Sequence, residues 1–484
     1  MDAGMKICVY AFATTAHFFT RLIEESQACG HGIDWSAVLP RWHHREAFEQ
    51  LLSPEKVAYL YDRFDSVHER LAGAEPAFGR AADADNELIC MLKDKAGYRL
   101  LDGDEQLRRA ATIVAIYREF LERERPDYML FPDLEVVDGF LLYSLCKSLG
   151  IVPIYYVGMR TLGGGFFSAD CYEQLPAYFG DHDAQDLEKA ARFLKSFLEG
   201  KPEALDEPQA AGSLSIQTAP LWRRALKALF MHIRYERKYA GEDNFLLRLK
   251  ANFSTRIAHF RAWRFRTFQL RWFHLRDEDA ALPKKYVFYA LQYTPESSIN
   301  GLEPYYVDQT RSIDLLLSGL PSDHRLVVKE HPACIGVRPT AFYRELRRKP
   351  GLILAAPAIP ARRCLEGAAL VASVTGTVGL ESFMLGRPCL LLGRNFFSHL
   401  CGEGEGPGSI RAVIQSLIGR FQKPDPDRQR IELARLIHIR YPILLSDPLV
   451  TPAVISPANI KAFLDAVSDH IRRLGSVGSN RDAD

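Results

Sequence analysis

The chain has 484 residues and carries 61 Lys and Arg against 60 Asp and Glu, so its net charge is close to +1. That length supports two or three domains with ample core, and the balanced charge argues against a general nucleic-acid binder. Hydrophobic residues make up 47% and charged residues 25%, as in soluble globular proteins; no stretch reaches the roughly 18 apolar residues of a membrane span; and nine scattered cysteines without a Cys-x-x-Cys pair point to a reduced, cytosolic chain with no zinc signature.

The first predicted element is a buried strand at Lys6 to Ala11, within an apolar run too short for a signal peptide. A helix follows from Ala16 to Cys29 and ends at Gly30. Residues 45–124 are charged and mostly helical in pattern. A βαβ unit comes next: strand Tyr128 to Phe131, a loop from Pro132 to Gly139, helix Phe140 to Leu149 closed by Gly150, and strand Val152 to Val157. Parallel strands joined this way build a Rossmann-like sheet. Residues 200–218 read as a linker. The stretch 219–276 holds 14 Lys or Arg against 3 Asp or Glu, with aromatics interleaved as in Phe260-Arg261-Ala262-Trp263-Arg264-Phe265-Arg266. It reads either as a solvated helical face or as a surface that meets anionic membrane.

After Pro283 a second α/β region begins with strand Tyr286 to Leu291. Strand Leu326 to Lys329 stops at Glu330-His331-Pro332, because Pro332 cannot donate to a ladder and keeps His331 extended. Strand Leu370 to Val374 runs into Thr375-Gly376-Thr377-Val378-Gly379. A short helix carrying Glu381 follows, then Gly386 as its C-cap, Pro388 and strand Cys389 to Leu392. The last helices are expected near Arg428 to Arg440 and Pro457 to Leu474, packing back on the first domain. The predicted organisation is an N-terminal domain over 1–210, a basic helical insertion over 211–282, a nucleotide-sugar domain over 283–425, C-terminal helices over 426–474 and a disordered tail over 475–484.

Ligands of open α/β sheets bind at the carboxyl ends of the strands, and several polar groups collect there. His331 can donate to a phosphate oxygen. Ser373, Thr375 and Thr377 bring hydroxyls, Gly376 allows close backbone approach, and Glu381, one helical turn beyond Thr377, suits ribose hydroxyls. Helix capping is the competing reading for the hydroxyls. Lys329 and Gln292 end neighbouring strands and are candidate donor or acceptor contacts, and Glu296 can act as acid, base or ribose ligand. In the N-terminal half Asp133, Glu135 and Asp138 follow a strand, and one of them would serve as base or nucleophile. Arg160 precedes Gly163-Gly164-Gly165, whose glycines predict a mobile loop, and can clamp a carboxylate or phosphate.

The segments Tyr289-Ala290-Leu291-Gln292-Tyr293-Thr294-Pro295-Glu296, Asp308-Gln309, Val328-Lys329-Glu330-His331-Pro332, Thr375-Gly376-Thr377-Val378-Gly379-Leu380-Glu381 and Gly386-Arg387-Pro388 resemble the bacterial capsule polysaccharide synthase family, which includes Kdo transferases. The likeness is strong over roughly residues 286–397 and looser over 131–172. It implies an α/β, GT-B-like glycosyltransferase: two Rossmann-like domains facing across a cleft, with the donor nucleotide on the C-terminal one. The His-Pro motif is also similar to that of bacterial sialyltransferases and teichoic-acid polymerases. That resemblance implies phosphate binding by His331, Ser373, Thr375 and Thr377, and ribose binding by Glu381, for a CMP- or CDP-linked donor. Sialyltransferases place an acidic pair before a Gly; here Val137 replaces the first acid of Val137-Asp138-Gly139, so the base stays open among Asp133, Glu135 and Asp138. Gln292 and Glu296 match the Gln and acid of the Kdo transferases, with Glu in place of Asp.

The function this implies is sugar transfer from a nucleotide donor, CMP-linked and Kdo- or sialic-acid-like, to a bacterial capsule or other surface glycan. Neither metal nor cofactor is called for. The expected partners are the nucleotide sugar, a glycan or glycolipid acceptor and an anionic membrane surface met by 219–276, with no nucleic acid. The expected location is cytoplasmic, peripheral on the inner membrane. Two alternatives belong to other classes: a non-hydrolysing UDP-sugar epimerase and a non-catalytic glycan-handling or export accessory.

Overall fold

The computed structural model describes residues 4–12, 14–41, 44–71, 100–132, 134, 136–159, 161–201, 205, 268–293, 299, 303–336, 338–403, 406–448 and 451–481. These form two compact units, each built on one six-stranded sheet.

The first unit is wound around β1 (Lys6–Tyr10), β2 (Asp34–Leu39), β3 (Val57–Tyr59), β4 (Tyr128–Phe131), β5 (Val152–Gly158) and β6 (Gly165–Ser168). Their order is β3-β2-β1-β4-β5-β6, with only β6 antiparallel, against β5. Ile7, Cys8, Val9 and Tyr10 are all buried, the continuous apolar run of a strand covered on both faces. Between the strands lie α1 (Thr15–Ala28), α2 (Arg45–Leu51), α3 (Leu60–Arg70), α4 (Gly103–Glu124) and α5 (Val137–Ser148). β1 leads outward to β2 and β3, while β4 returns to the other side of β1. Winding therefore reverses between β1 and β4. The chain from Ile439 onward completes this unit.

The second unit begins with α6 (Ala184–Leu198), whose Asp183 and Asp186 make a reciprocal capping box. Its sheet comprises β7 (Tyr286–Ala290), β8 (Arg325–Lys329), β9 (Leu352–Ala355), β10 (Leu370–Ser373), β11 (Cys389–Leu391) and β12 (Gly402–Glu403). The order is β12-β11-β10-β7-β8-β9 and every pairing is parallel. Side chains alternate between two cores. Val287, Tyr289, Val328 and Ala372 enter one, and Phe288, Val327, Ala355 and Val371 the other. The connecting helices are α7 (Gln309–Gly319), α8 (Thr340–Leu346), α9 (Ala361–Glu366), α10 (Val378–Met384), α11 (Gly406–Arg420) and α12 (Pro426–His438). Here winding reverses between β7 and β10. Arg362 on α9 ties α6 into this unit by donating to the terminal carbonyls of Phe197 and Leu198 (2.6 Å to the latter).

Two Rossmann-like α/β units make the GT-B-like class expected from sequence. Among the described residues no helix is long and apolar enough to cross a membrane. Three local expectations differ. Val57–Tyr59, in the span read as helical, forms edge strand β3, because its register with β2 outweighs local pattern over three residues. The last helix, α13 (Pro457–Arg481), runs past Gly475, where the tail was expected to lose order; a helix already packed through Phe463 against Phe18 and Phe167 extends at little cost. The run Gly163-Gly164-Gly165, read as a mobile loop, turns between β5 and β6. Gly163 and Gly164 turn with left-handed backbone at φ 74° and 63°, a Cβ on Gly164 would also meet the Tyr441 carbonyl, and Gly165 pairs with Tyr441, so turn conformation and packing explain these glycines.

Of the basic stretch 219–276, residues 219–267 lie outside the described residues, and the membrane-surface expectation lies with them. Its final residues join the second core: Phe273 is buried and the His274 Nδ1 accepts the Leu354 N–H at 3.0 Å.

Candidate functional site

β7 lies between β8 and β10, so the residues after it reach both neighbours. Gln292 turns toward β10. With its amide oxygen facing the loop, Oε1 accepts the Gly376 N–H at 2.8 Å, the Thr375 N–H at 3.1 Å and the Thr375 hydroxyl at 2.8 Å. Three donors thus converge on one oxygen at the reversal of winding, where open α/β sheets bind ligands. Tyr293 turns toward β8, and its ring lies 5.7 Å from that of His331.

The turn is held from beneath. Ser373 is fully buried and its Oγ accepts the Gly376 N–H at 3.0 Å, so it shapes the turn from inside. Asn395, after β11, donates to the Thr375 carbonyl at 3.2 Å and accepts the Phe397 N–H at 3.1 Å. Gln309, at the start of α7, clamps the Gln292 backbone on both sides, at 2.9 and 3.0 Å. A Cβ on Gly379 would meet the Phe397 ring at 2.7 Å and Cys389 Sγ at 3.2 Å, so this glycine permits packing beneath the turn. Thr377 precedes α10, one helical turn before Glu381. Burial raises the pKa of Glu381, while Thr377 and Arg362 work against that rise.

His331 is extended at φ −71°, ψ 132°, as the following Pro332 dictates. Its Nδ1 accepts the Ala333 N–H at 3.2 Å, which leaves the ring proton on Nε2. Beneath it Glu330 is completely buried. One oxygen accepts the His331 N–H at 2.7 Å, and the other accepts Arg338 Nε at 3.0 Å and the Tyr343 hydroxyl at 2.8 Å. Burial raises the Glu330 pKa, and these donors with the Arg338 charge counteract it. Arg338 also donates to the Gln292 carbonyl. One buried ion pair thereby fixes the ends of both β7 and β8.

Lys329 belongs to the other face of the sheet. It is buried, and burial lowers its pKa, with Cys364 and Glu330 working against that drop. Asp138 stands in the first turn of α5, beside the reversal of winding in the first unit. It accepts a long hydrogen bond from the buried Tyr10 hydroxyl at 3.4 Å. A Cβ on Gly139 would approach that hydroxyl to 3.1 Å, so the glycine lets Tyr10 come in. Asp133, Glu135, Arg160 and Glu296 lie outside the described residues. Asp183, Asp186 and His438 also gather three ligand-type side chains, but their contacts serve the start of α6 and its seat on α12, with His438 Nδ1 2.8 Å from Asp186.

Glu330, Arg338, Tyr343, Gln309 and Asn395 escaped the reading of the sequence as site residues. The adjacency of Glu330 to His331 and of Gln309 to the helix-capping Asp308 were the available signals. Asn395 had none.

A family model described as capsule polysaccharide biosynthesis protein matches residues 210–402, the part that carries β7 to β12 and the whole of this site. No curated protein matches the chain. Among solved structures, it is similar to the β-Kdo 2,4 transferase KpsC of Thermosulfurimonas dismutans at 11% identity, over 64% of this chain and 80% of that one, with a TM-score of 0.36. It is also similar to UDP-GlcNAc 2-epimerase from Methanocaldococcus jannaschii, at 12% identity over 90% and 99% of the two chains, TM-score 0.25. A third match is the glycotransferase of kitacinnamycin, at 13% identity over 97% and 98%, TM-score 0.25. With TM-scores this low these matches add nothing to the assignment, which rests on strand order and on residues 210–402.

Proposed function

We propose that this protein is a glycosyltransferase that moves a sugar from a nucleotide donor, CMP-linked and Kdo- or sialic-acid-like, onto a bacterial capsule or other surface glycan. The observation that carries this reading is the convergence of the Thr375 and Gly376 N–H groups and the Thr375 hydroxyl on a single oxygen position. Gln292 Oε1 stands there now; a phosphate oxygen suits the same three donors better, because charge strengthens each bond. His331 Nε2–H supplies a further donor, and Glu381 is the ribose contact. Ser373, being buried, acts by holding the turn.

In the transfer the acceptor hydroxyl oxygen attacks the anomeric carbon, the bond from that carbon to the phosphate oxygen breaks, and the nucleoside phosphate leaves with the electron pair. Asp138, at the other unit's reversal of winding, takes the acceptor proton as general base. The developing phosphate charge is met by preorganised N–H, hydroxyl and imidazole donors, so the leaving group needs no metal. The basic aromatic stretch 219–276 supports work at an anionic membrane surface.

The test is the melting temperature of the purified protein with CMP, CDP, UMP, UDP and GDP, since a ligand of the folded state raises it by mass action. CMP is expected to raise it, and His331→Ala to remove that rise while the unliganded protein still melts cooperatively. A rise with UDP alone would replace the CMP-linked donor by a UDP-sugar. No rise with any nucleotide would sink the enzyme reading.

A further inference from the structure

The first unit holds a second group of unspent polar side chains, at the carboxyl ends of β1 and β2. His17 lies in the first turn of α1, and His44 precedes α2 with left-handed backbone at φ 56°. Their rings stack at 4.6 Å with planes 16° apart. Arg41, just after β2, lies with its guanidinium 5.1 Å from the Phe12 ring centre, and Phe12 in turn stacks on Tyr10 at 6.1 Å. Tyr10 reaches Asp138. Thus Arg41, Phe12, Tyr10 and Asp138 form one continuous run across the reversal of winding.

Among the described residues neither imidazole and no nitrogen of Arg41 has a hydrogen-bond or ion-pair partner. The carboxylates nearby are taken: Asp62 and Glu49 bind Arg45 at 2.6 and 2.9 Å, and Glu24 binds Arg21 at 2.7 Å. A non-glycine residue at positive φ with its ring stacked on another imidazole is a conformation with a cost, of the kind that collects at functional sites. Desolvation, and then His17, pushes the His44 pKa down to about 4; desolvation, and then Arg21, lowers that of His17. Both rings are therefore uncharged near neutrality while the protein is unliganded. An anion beside them would favour their protonation.

We propose that His17, His44 and Arg41 form a binding site for an oxyanion, a phosphate ester or a sugar carboxylate, carried by the acceptor of the transferase. Arg41 supplies a planar, permanently charged fork suited to either group, and the imidazoles supply N–H donors. An acceptor anchored there by its anionic group passes over the half-buried Phe12 and presents its hydroxyl toward Asp138, with the buried Tyr10 packed beneath. The assignment of the anion to an acceptor rests on the transferase reading; the existence of the site does not.

Carbon-13 labelling of the histidine ε1 positions tests both, with signals assigned by His17→Gln, His44→Gln and His331→Gln. Inorganic phosphate and glucuronate, added separately, are expected to shift the His17 and His44 signals together. Arg41→Gln should weaken that response about tenfold or more, as loss of a charge-assisted contact does; Arg41 is only half-buried and bonded to nothing, so the variant folds. A response to phosphate alone assigns the site to a phosphate ester, and one to glucuronate alone to an acidic sugar. Unmoved His17 and His44 signals with both anions, or equal responses in the wild type and Arg41→Gln, overturn the proposal. The His331 signal reads the donor site in the same sample. Its silence toward CMP, CDP, UMP, UDP and GDP alike would remove the transferase reading while leaving an oxyanion site in the first unit standing.

Discussion

The two sheets are wound alike, each reversing direction beside its first strand, yet the two reversals carry opposite chemistry. In the second unit the reversal is closed on itself: Gln292, Thr375, Gly376, Ser373, Asn395 and Gln309 satisfy one another. In the first, Asp138 accepts a long bond from Tyr10, and among the described residues His17, His44 and Arg41 have no hydrogen-bond or ion-pair partner. The common winding fixes where a ligand binds, and the loop residues decide which ligand. A rigid ring of donors suits a phosphate whose geometry never varies. On the proposed reading, one guanidinium and two neutral imidazoles beside a carboxylate suit a partner that must be gripped and deprotonated.

The sharpest way to break this comparison is Asp138→Asn. It should lower kcat by roughly 10²–10⁴-fold, while the melting shift with CMP, which belongs to the other unit, stays unchanged. A lost CMP shift would show that the two reversals do not divide the work. Next comes Arg338→Ala, which leaves Glu330 buried without its counter-charge. A loss of about 3–5 kcal/mol is expected, read by denaturant unfolding, with the second unit melting first. Asn395→Ala removes the donor to the Thr375 carbonyl and should cost about 1–3 kcal/mol in stability and nucleotide affinity taken together. Calorimetry with CMP beside an unfolding curve separates the two.

The smallest effect concerns pH. Glu381 holds its proton more tightly in the folded chain than in the unfolded one, where the reference value is 4.5. Ionising it therefore works against folding. That penalty is absent below about pH 4.5 and sets in as pH rises from there through the folded-state pKa. Glu381→Gln should raise the melting temperature slightly at pH 7 and leave it unchanged near pH 4. A rise at both pH values would mean that packing, not charge, is responsible.

Much of the second unit's site was legible because its signals are local. Pro332 sets the backbone of His331, and the Thr-Gly-Thr turn sits between a β-branched strand and a short helix. Ser373 was read as a ligand-facing hydroxyl, but strand alternation and the Gly376 amide turn it inward. The partners that make the site rigid come from afar. Gln309 meets Gln292 across 17 positions, Asn395 meets Thr375 across 20 and Arg338 meets Gln292 across 46. No periodicity marks such residues, because a polar side chain that caps a distant loop looks the same in sequence as one in solvent. The His17–His44 stack was missed for a related reason: neither residue stands in a motif, and only the β1–β2 pairing puts their helices side by side.

The sequence by itself determined the strands, the His-Pro and Thr-Gly-Thr loops and the α/β class, since hydrophobic runs, prolines and glycines act on their own neighbours. Tertiary structure alone decided which side of each loop faces a ligand. It set Gln292 against the turn, sank Glu330 onto Arg338 and brought the His17 and His44 rings together. Those outcomes depend on strand order and on burial, and both are properties of the folded chain as a whole.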